Sequence, residues 1–234
     1  MGLNLEELGA QLRKRNDTGW AEAWKSFFKP LPFGDQLWIL PRWETEEENE
    51  AMLAELSLSD DALLVHLEPG LAFGTGQHAT TSLCLSILAD KFPTYPDTMV
   101  DVGCGSGILS IAAAKLGVRE ILSIDNDPLA VKICHENTEA NGVASQITTT
   151  EEPLQGGSRT FELVLANIIA PVLIQLAKEV ATAIKPGGTL ILSGMLESQV
   201  NAVKEAYSQE NTALNWIDEQ SEGEWHALIA TLPH

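Results

Sequence analysis

Asp101, Gly103, Gly105 and Gly107 alternate with single residues in the stretch MVDVGCGSGILSIAAAKLG, between an apolar run and a helical one. Glycines in a strand-to-helix turn remove the side chains that would hold a ligand away from the backbone N–H groups. A dinucleotide fingerprint requires G-x-G-x-x-G, and Ile108 and Ser110 stand where its last glycine would be. Asp125 lies 18 positions past Gly107, at the end of the next apolar run, where an acid can accept hydrogen bonds from both hydroxyls of a ribose. Its other reading is a helix N-cap, a role that Asp127 ahead of Pro128 fills better. Turn and acid together point to a ligand that carries a nucleoside.

A second glycine-rich stretch, LEPGLAFGTGQHATTSLCL at residues 67 to 85, reads as a loop running into a helix that Thr80 and Thr81 can cap. Phe73 and His78 in it are placed to lie over a ligand as a lid, although the residues alone do not distinguish a lid from a plain connection. Asn167 ends the apolar run FELVLAN ahead of Pro171, a strand-end position typical of groups that meet a ligand.

The elements that must position these residues form an alternating series. ALLVHLE, TMVDVG, EILSID, FELVLANI and KPGGTLILSGM read as strands. TTSLCLSILADKF, ILSIAAAKLG closed by Gly117, PLAVKICHENTEANG ended at Asn141-Gly142, and APVLIQLAKEVATAI read as helices. The closing LNWIDEQSEGEWHALIATL reads as two strands around a Glu-Gly turn, which predicts an antiparallel strand at one edge. Such alternation predicts an α/β fold, a mostly parallel sheet with helices on both faces, which binds ligands at the carboxyl ends of its strands. Residues 1–57 differ: an amphipathic start, the aromatic segment GWAEAWKSFFKPLPFG, a strand QLWIL and an acidic run ETEEENEAMLAEL expected to be a solvated helix or loop. They are read as an N-terminal extension and linker ahead of one domain over 58–234.

With 14 Lys+Arg against 33 Asp+Glu the formal net charge is −19, which repels a phosphate backbone and disfavours nucleic acid as partner. A basic protein or a cationic small molecule suits this balance, as does solubility alone. Cys84, Cys104 and Cys134 form no C-x-x-C pair and are read as reduced apolar side chains, with no metal expected. No apolar run approaches the ~20 residues that span a bilayer, and no signal-peptide core opens the chain, so a cytoplasmic protein is expected.

The D-x-G-x-G-x-G turn resembles the S-adenosylmethionine (SAM) site of class I methyltransferases. With PGLAFGTGQHATT, IDNDPLAV, ANIIAPVL, LILSGML and EGEWHALIA, the chain from about residue 17 onward is similar to the PrmA-type ribosomal protein methyltransferases. That resemblance implies a Rossmann-like class I fold and SAM-dependent methylation of amino groups on the stalk-base protein of the large ribosomal subunit. It implies cofactor contacts at Thr81, Gly103, Asp125 and Asn167, completed by Asp101, Gly105, Asn126 and the lid residues Phe73, Gly74, Thr75 and Gly76. Asp101 is expected to brace the turn and meet the cofactor's ammonium. Asn167 is the expected catalytic group, accepting hydrogen bonds from the target amine, with His78 second as a proton acceptor. The family usually begins with a complete small α/β domain that grips its substrate, of which the front of this sequence is expected to be a shortened form. Methylation of another protein lysine or a small amine shares every cofactor signal. An NAD-dependent oxidoreductase lacks its third glycine, and a non-catalytic module of the same fold is opposed by the intact turn, acid and asparagine.

Overall fold

The computed structural model describes residues 29–42, 45–56, 58–67, 78–92, 94–155, 157 and 159–234. The expected lid residues Phe73, Gly74, Thr75 and Gly76 lie outside the described residues. Two sheets are formed among them. The first has three strands, β1 (Leu31–Phe33), β2 (Leu37–Pro41) and β3 (Leu63–Leu67), with β1 antiparallel and β3 parallel to β2. The β2–β3 crossover carries α1 (Glu46–Glu55), whose N-cap Thr45 accepts the Glu48 N–H at 3.3 Å and whose first turn holds Glu46, Glu47 and Glu48. Carboxylates there oppose the positive end of the helix dipole, so α1 forms although it has no buried residue. The expected strand ALLVHLE is therefore β3 of this small sheet and not a strand of the main one. β2, from the region expected to be an extension, pairs with it across residue 58.

The main sheet has seven strands in the order β6-β5-β4-β7-β8-β10-β9. Its parallel members are β4 (Thr98–Val102), β5 (Glu120–Ile124), β6 (Ile147–Thr150), β7 (Phe161–Asn167) and β8 (Ile184–Leu196). The closing hairpin of β9 (Asn215–Glu222) and β10 (Trp225–Thr231) makes the antiparallel end, with β10 inserted between β8 and β9. Strand order reverses between β4 and β7, which are neighbours in space though separated by two strands in sequence. This switch point opens a crevice at their carboxyl ends.

Each face of the sheet has its own core. On one, α2 (Ala79–Asp90) and α3 (Ile108–Leu116) bury Leu85, Ile87, Leu88 and Ile111 against Met99, Ile121, Leu163 and the small sheet's Leu37 and Val65. On the other, α5 (Ala170–Gln175), α6 (Ala177–Thr182) and α7 (Val200–Glu210) bury Leu173, Val180, Val203 and Tyr207 against Val100, Val164 and Leu192. A fully buried Leu, Ile or Val contributes about 1.5–3 kcal/mol relative to exposure, so these two layers fix the strand ends that carry the site.

Helix ends bear out several sequence expectations and correct others. Asp127 caps α4 (Pro128–Ala140), accepting the Leu129 N–H at 2.9 Å, and Gly117 and Asn141 are the C-caps of α3 and α4. The cap of α2 is His78, whose Nδ1 accepts the Thr80 N–H at 3.4 Å. Thr80 and Thr81, expected as caps, are buried inside the first turn. The helix expected over APVLIQLAKEVATAI is two short helices divided at Leu176, whose φ of −93° and ψ of 8° depart from helical values.

Candidate cofactor and methyl-transfer site

β4 delivers Asp101 and then Gly103 to the crevice. Gly103, Gly105 and Gly107 all have positive φ, at 77°, 53° and 78°. A side chain at Gly103 would collide with Ile168 Cγ2, so the turn sits directly against the residue that follows Asn167. At Gly107 an added Cβ would lie 2.5 Å from Cys134 Sγ, so α4 closes on the turn from the other side.

The sequence suggested that the glycines bare N–H groups for a ligand, but most of those donors are already committed. Gly103 and Cys104 N–H both donate to the Ile124 carbonyl, at 2.8 and 3.0 Å. Gly107 N–H donates to the Cys104 carbonyl at 2.8 Å, and Gly105 N–H to Asp125 Oδ2 at 2.9 Å. What the turn offers is the close approach of glycine Cα surfaces. A pyrophosphate, which needs several unspent N–H donors, is poorly served by it.

Asp125 follows β5 directly. Its second oxygen, Oδ1, accepts the Asp127 N–H at 3.0 Å, so the carboxylate is fixed by one backbone bond on each oxygen. Each oxygen keeps a further lone pair for a hydroxyl. Beside it opens a cleft of about 530 Å³, walled by Val102, Ile124, Leu154, Ile168, Val172 and Leu176. Its polar lining is Asp125, Asn126, Glu151, Gln175 and Glu179, with no Lys or Arg among the described residues.

Behind the turn, Asp101 is 1% exposed. Ser110 Oγ donates to its Oδ2 at 2.6 Å and, having one proton, accepts in turn from Ser123 Oγ at 2.7 Å. Asp101 Oδ1 is buried without a hydrogen-bond partner. Burial pushes its carboxyl up to about 6, opposed by the Ser110 bond and reinforced by the Asp125 charge. Oδ1 thus has neither a cation nor a donor beside it, and the Ser110 bond to Oδ2 only partly offsets the burial.

Asn167 ends β7, paired with Ser193 of β8. Its Nδ2 donates to Thr81 Oγ1 at 3.4 Å, a buried hydroxyl from the first turn of α2. His78, one turn earlier, is engaged through Nδ1 with Thr80 Oγ1 at 2.9 Å and packs its ring edge-on to Trp225, 5.0 Å between centroids. Those contacts are a helix cap and a packing partner. The structure therefore brings Asp101, Gly103, Gly105, Asp125 and Asn126 together at the β4 and β5 ends, and Thr81 with Asn167 at the β7 end. Ile168, Leu154 and Val172 also line the cleft, and the sequence reading missed them. Ile168 was legible as the apolar residue next to Asn167, whereas Leu154 lies on a connection with no periodicity.

This geometry belongs to a known family. A family model described as "Ribosomal protein L11 methyltransferase (PrmA)" matches residues 2–233. The chain belongs to the ribosomal protein L11 methyltransferase family. It is 38% identical over 248 residues to the ribosomal protein L11 methyltransferase of Chloroflexus aurantiacus, covering 95% of this chain and 72% of that one. With the enzyme of the same name from Aliivibrio salmonicida it shares 41% over 212 residues, covering 91% and 68% respectively. Among solved structures, the ribosomal protein L11 methylase of Lactobacillus delbrueckii subsp. bulgaricus superposes with a TM-score of 0.75 at 28% identity, covering 88% of this chain and 100% of that one. Membership makes the chain a SAM-dependent methyltransferase of class I fold, as the glycine turn and asparagine led one to expect. The residues present fit that cofactor. The cleft has a carboxylate with free lone pairs for hydroxyls and no Lys or Arg among the described residues, and Gly103, whose Cβ direction is taken up by Ile168, lines it with bare backbone. The orphaned Asp101 oxygen suits a cation and would be repelled by phosphate.

Proposed function

We propose that this protein transfers methyl groups from SAM to amino groups, lysine side chain or N-terminal amine, of ribosomal protein L11. The observation that carries the reading is the acid-lined cleft beside Asp125, with no Lys or Arg among the described residues, whose wall residue Ile168 directly follows an asparagine amide bonded to a buried threonine. The names of the relatives supply the substrate. A net charge of −19 supports it, since it attracts a basic ribosomal protein and disfavours direct contact with RNA. The three free cysteines suit the reducing cytoplasm, and no helix among the described residues is long and apolar enough to cross a membrane.

Bound SAM supplies an electrophilic methyl group on a positively charged sulfur. The Asp125 carboxylate would hold the ribose hydroxyls, and Asn126, Leu154 and Val172, which line the same cleft, would enclose the base. The unpartnered Asp101 Oδ1, behind the turn, would be the acceptor for the cofactor's ammonium. Asn167 has its Nδ2 committed to Thr81, which leaves Oδ1 to accept an N–H of the incoming amine and aim the nitrogen lone pair along the transfer axis. A lysine amine of reference pKa about 10.4 must arrive deprotonated, and a neighbouring positive charge favours that form. Positioning then does most of the catalysis, and no strong general base is needed. His78 holds the start of α2 in place.

The test is turnover by Asn167→Ala. It should lose most methyl transfer to L11 while still binding S-adenosylhomocysteine. Unchanged turnover removes Asn167 from the mechanism.

A further inference from the structure

We propose that Asn137 and Asn141, one turn apart on α4, are positioning residues that tie the cofactor turn to the small three-stranded sheet. The proposal rests on the cleft being the SAM site. Asn141, 5% exposed, is bonded as a strand would be: its Oδ1 accepts the His66 N–H at 2.8 Å, and its Nδ2 donates to the His66 carbonyl at 2.8 Å. One primary amide thereby occupies both backbone groups of a β3 residue whose other edge faces β2. Asn141 also donates from Nδ2 to the Asn137 carbonyl at 2.8 Å, and its own N–H reaches the same oxygen at 3.1 Å. Asn137 Nδ2 in turn donates to the carbonyl of Ser106 at 2.8 Å, between Gly105 and Gly107.

A continuous series of bonds therefore runs from β3 through two side chains on one helix face into the middle of the glycine turn. A simple helix stop explains an asparagine before Gly142, but not its two side-chain bonds to β3, nor the bond of Asn137 to the glycine turn. Asparagine is a poor interior helix residue, so the bond to the turn accounts for its use at position 137. The turn needs such a hold because its three positive-φ glycines are the most freely moving residues available. Asp125 grips it at the Gly105 N–H, and Asn137 grips it one residue later at the Ser106 carbonyl. The order of the small sheet is thus passed to the cofactor site, although β3 supplies none of the cleft lining.

The experiment is titration of the whole protein with S-adenosylhomocysteine by calorimetry, with a urea midpoint for each variant. Asn137→Asp keeps the shape and loses the donor. It should weaken binding about 3- to 10-fold, the range of a single hydrogen bond. Asn141→Ala, with no atom at the turn, should weaken it in the same direction, and the double variant should bind no more weakly than Asn137→Asp because the two bonds act in series. Val203→Ala, buried on the opposite face, should lower the urea midpoint and leave affinity unchanged. The relay is overturned if Asn137→Asp binds like the parent, or if the effects of the two asparagine variants multiply. A parent protein that binds no S-adenosylhomocysteine would overturn the SAM reading and the relay with it; parent-like binding by the variants would overturn the relay alone.

Discussion

Gly107→Ala isolates how tightly the cofactor turn is enclosed. Two costs arise there and can be separated. The first is conformational: φ is +78°, and an L-residue in the left-handed region costs roughly 1–2 kcal/mol. The second is steric: the new Cβ would meet Cys134 Sγ at 2.5 Å, with Cys134 Cα and Cβ farther off at 3.4 Å. Cys134 is fully buried, so its sulfur can rotate only into packed surroundings, and overpacking of this kind costs about 1–3 kcal/mol. The sum is about 2–5 kcal/mol, a large share of a typical domain stability of about 5–15 kcal/mol. Cys134→Ala removes the sulfur but leaves the backbone strain. In the Gly107→Ala background it should recover the steric part, about 1–3 kcal/mol, whereas alone it should destabilise slightly. Urea unfolding of parent, both single variants and the double, with unchanged m-values, reads this coupling directly. Additivity of the two substitutions within about 0.5 kcal/mol would refute the argument that the helix and turn are in contact at this atom.

Other expectations follow from the same geometry. Asp125→Ala removes a carboxylate that fixes the Gly105 N–H and is proposed to accept from ribose; calorimetry should show S-adenosylhomocysteine bound at least about 10-fold more weakly, as charge-assisted bonds contribute about 1.5–3 kcal/mol each. Thr81→Val removes the hydroxyl bonded to Asn167, and steady-state assays should show kcat falling. Asp101 is protonated more readily folded than unfolded, its carboxyl lying at about 6 against 3.8. Its ionisation therefore opposes folding: the penalty is absent below the unfolded value, grows as pH rises from about 4 to 6, and reaches up to about 3 kcal/mol above that. The stability of Asp101→Asn relative to parent should rise across that window in urea titrations; a constant difference would contradict the burial argument. Lys91→Ala, which breaks an exposed ion pair with Asp218, should change stability by less than about 1 kcal/mol.

Much of this architecture was legible where a single physical constraint dominates. The strand-turn-helix around Gly103 to Gly107 follows from apolar runs on either side of residues that only glycine accommodates. Asp127-Pro128 marks the start of α4 by cap and fixed φ together. β6 was missed because ITTT, an edge strand, has one buried residue and no alternation to reveal it. α7 was also missed, although Val200, Val203 and Tyr207 carry the spacing of one buried helical face. The membership of β3 in a second sheet is a tertiary outcome, decided by pairing with β2 and by the Asn141 amide, neither of which a local pattern encodes. At the site, the acid, the turn and the asparagine were visible as residue types. Their arrangement was not: most of the turn's N–H donors proved to be spent on Ile124, Asp125 and Cys104, and Thr81 proved to be the partner of Asn167.

The most direct test of the account is the intact mass of purified ribosomal protein L11 after incubation with this enzyme and SAM. The account predicts methyl increments on L11 that are lost with Asn167→Ala, in a protein that still binds S-adenosylhomocysteine. Unmodified L11, in the presence of enzyme that binds S-adenosylhomocysteine, would contradict it.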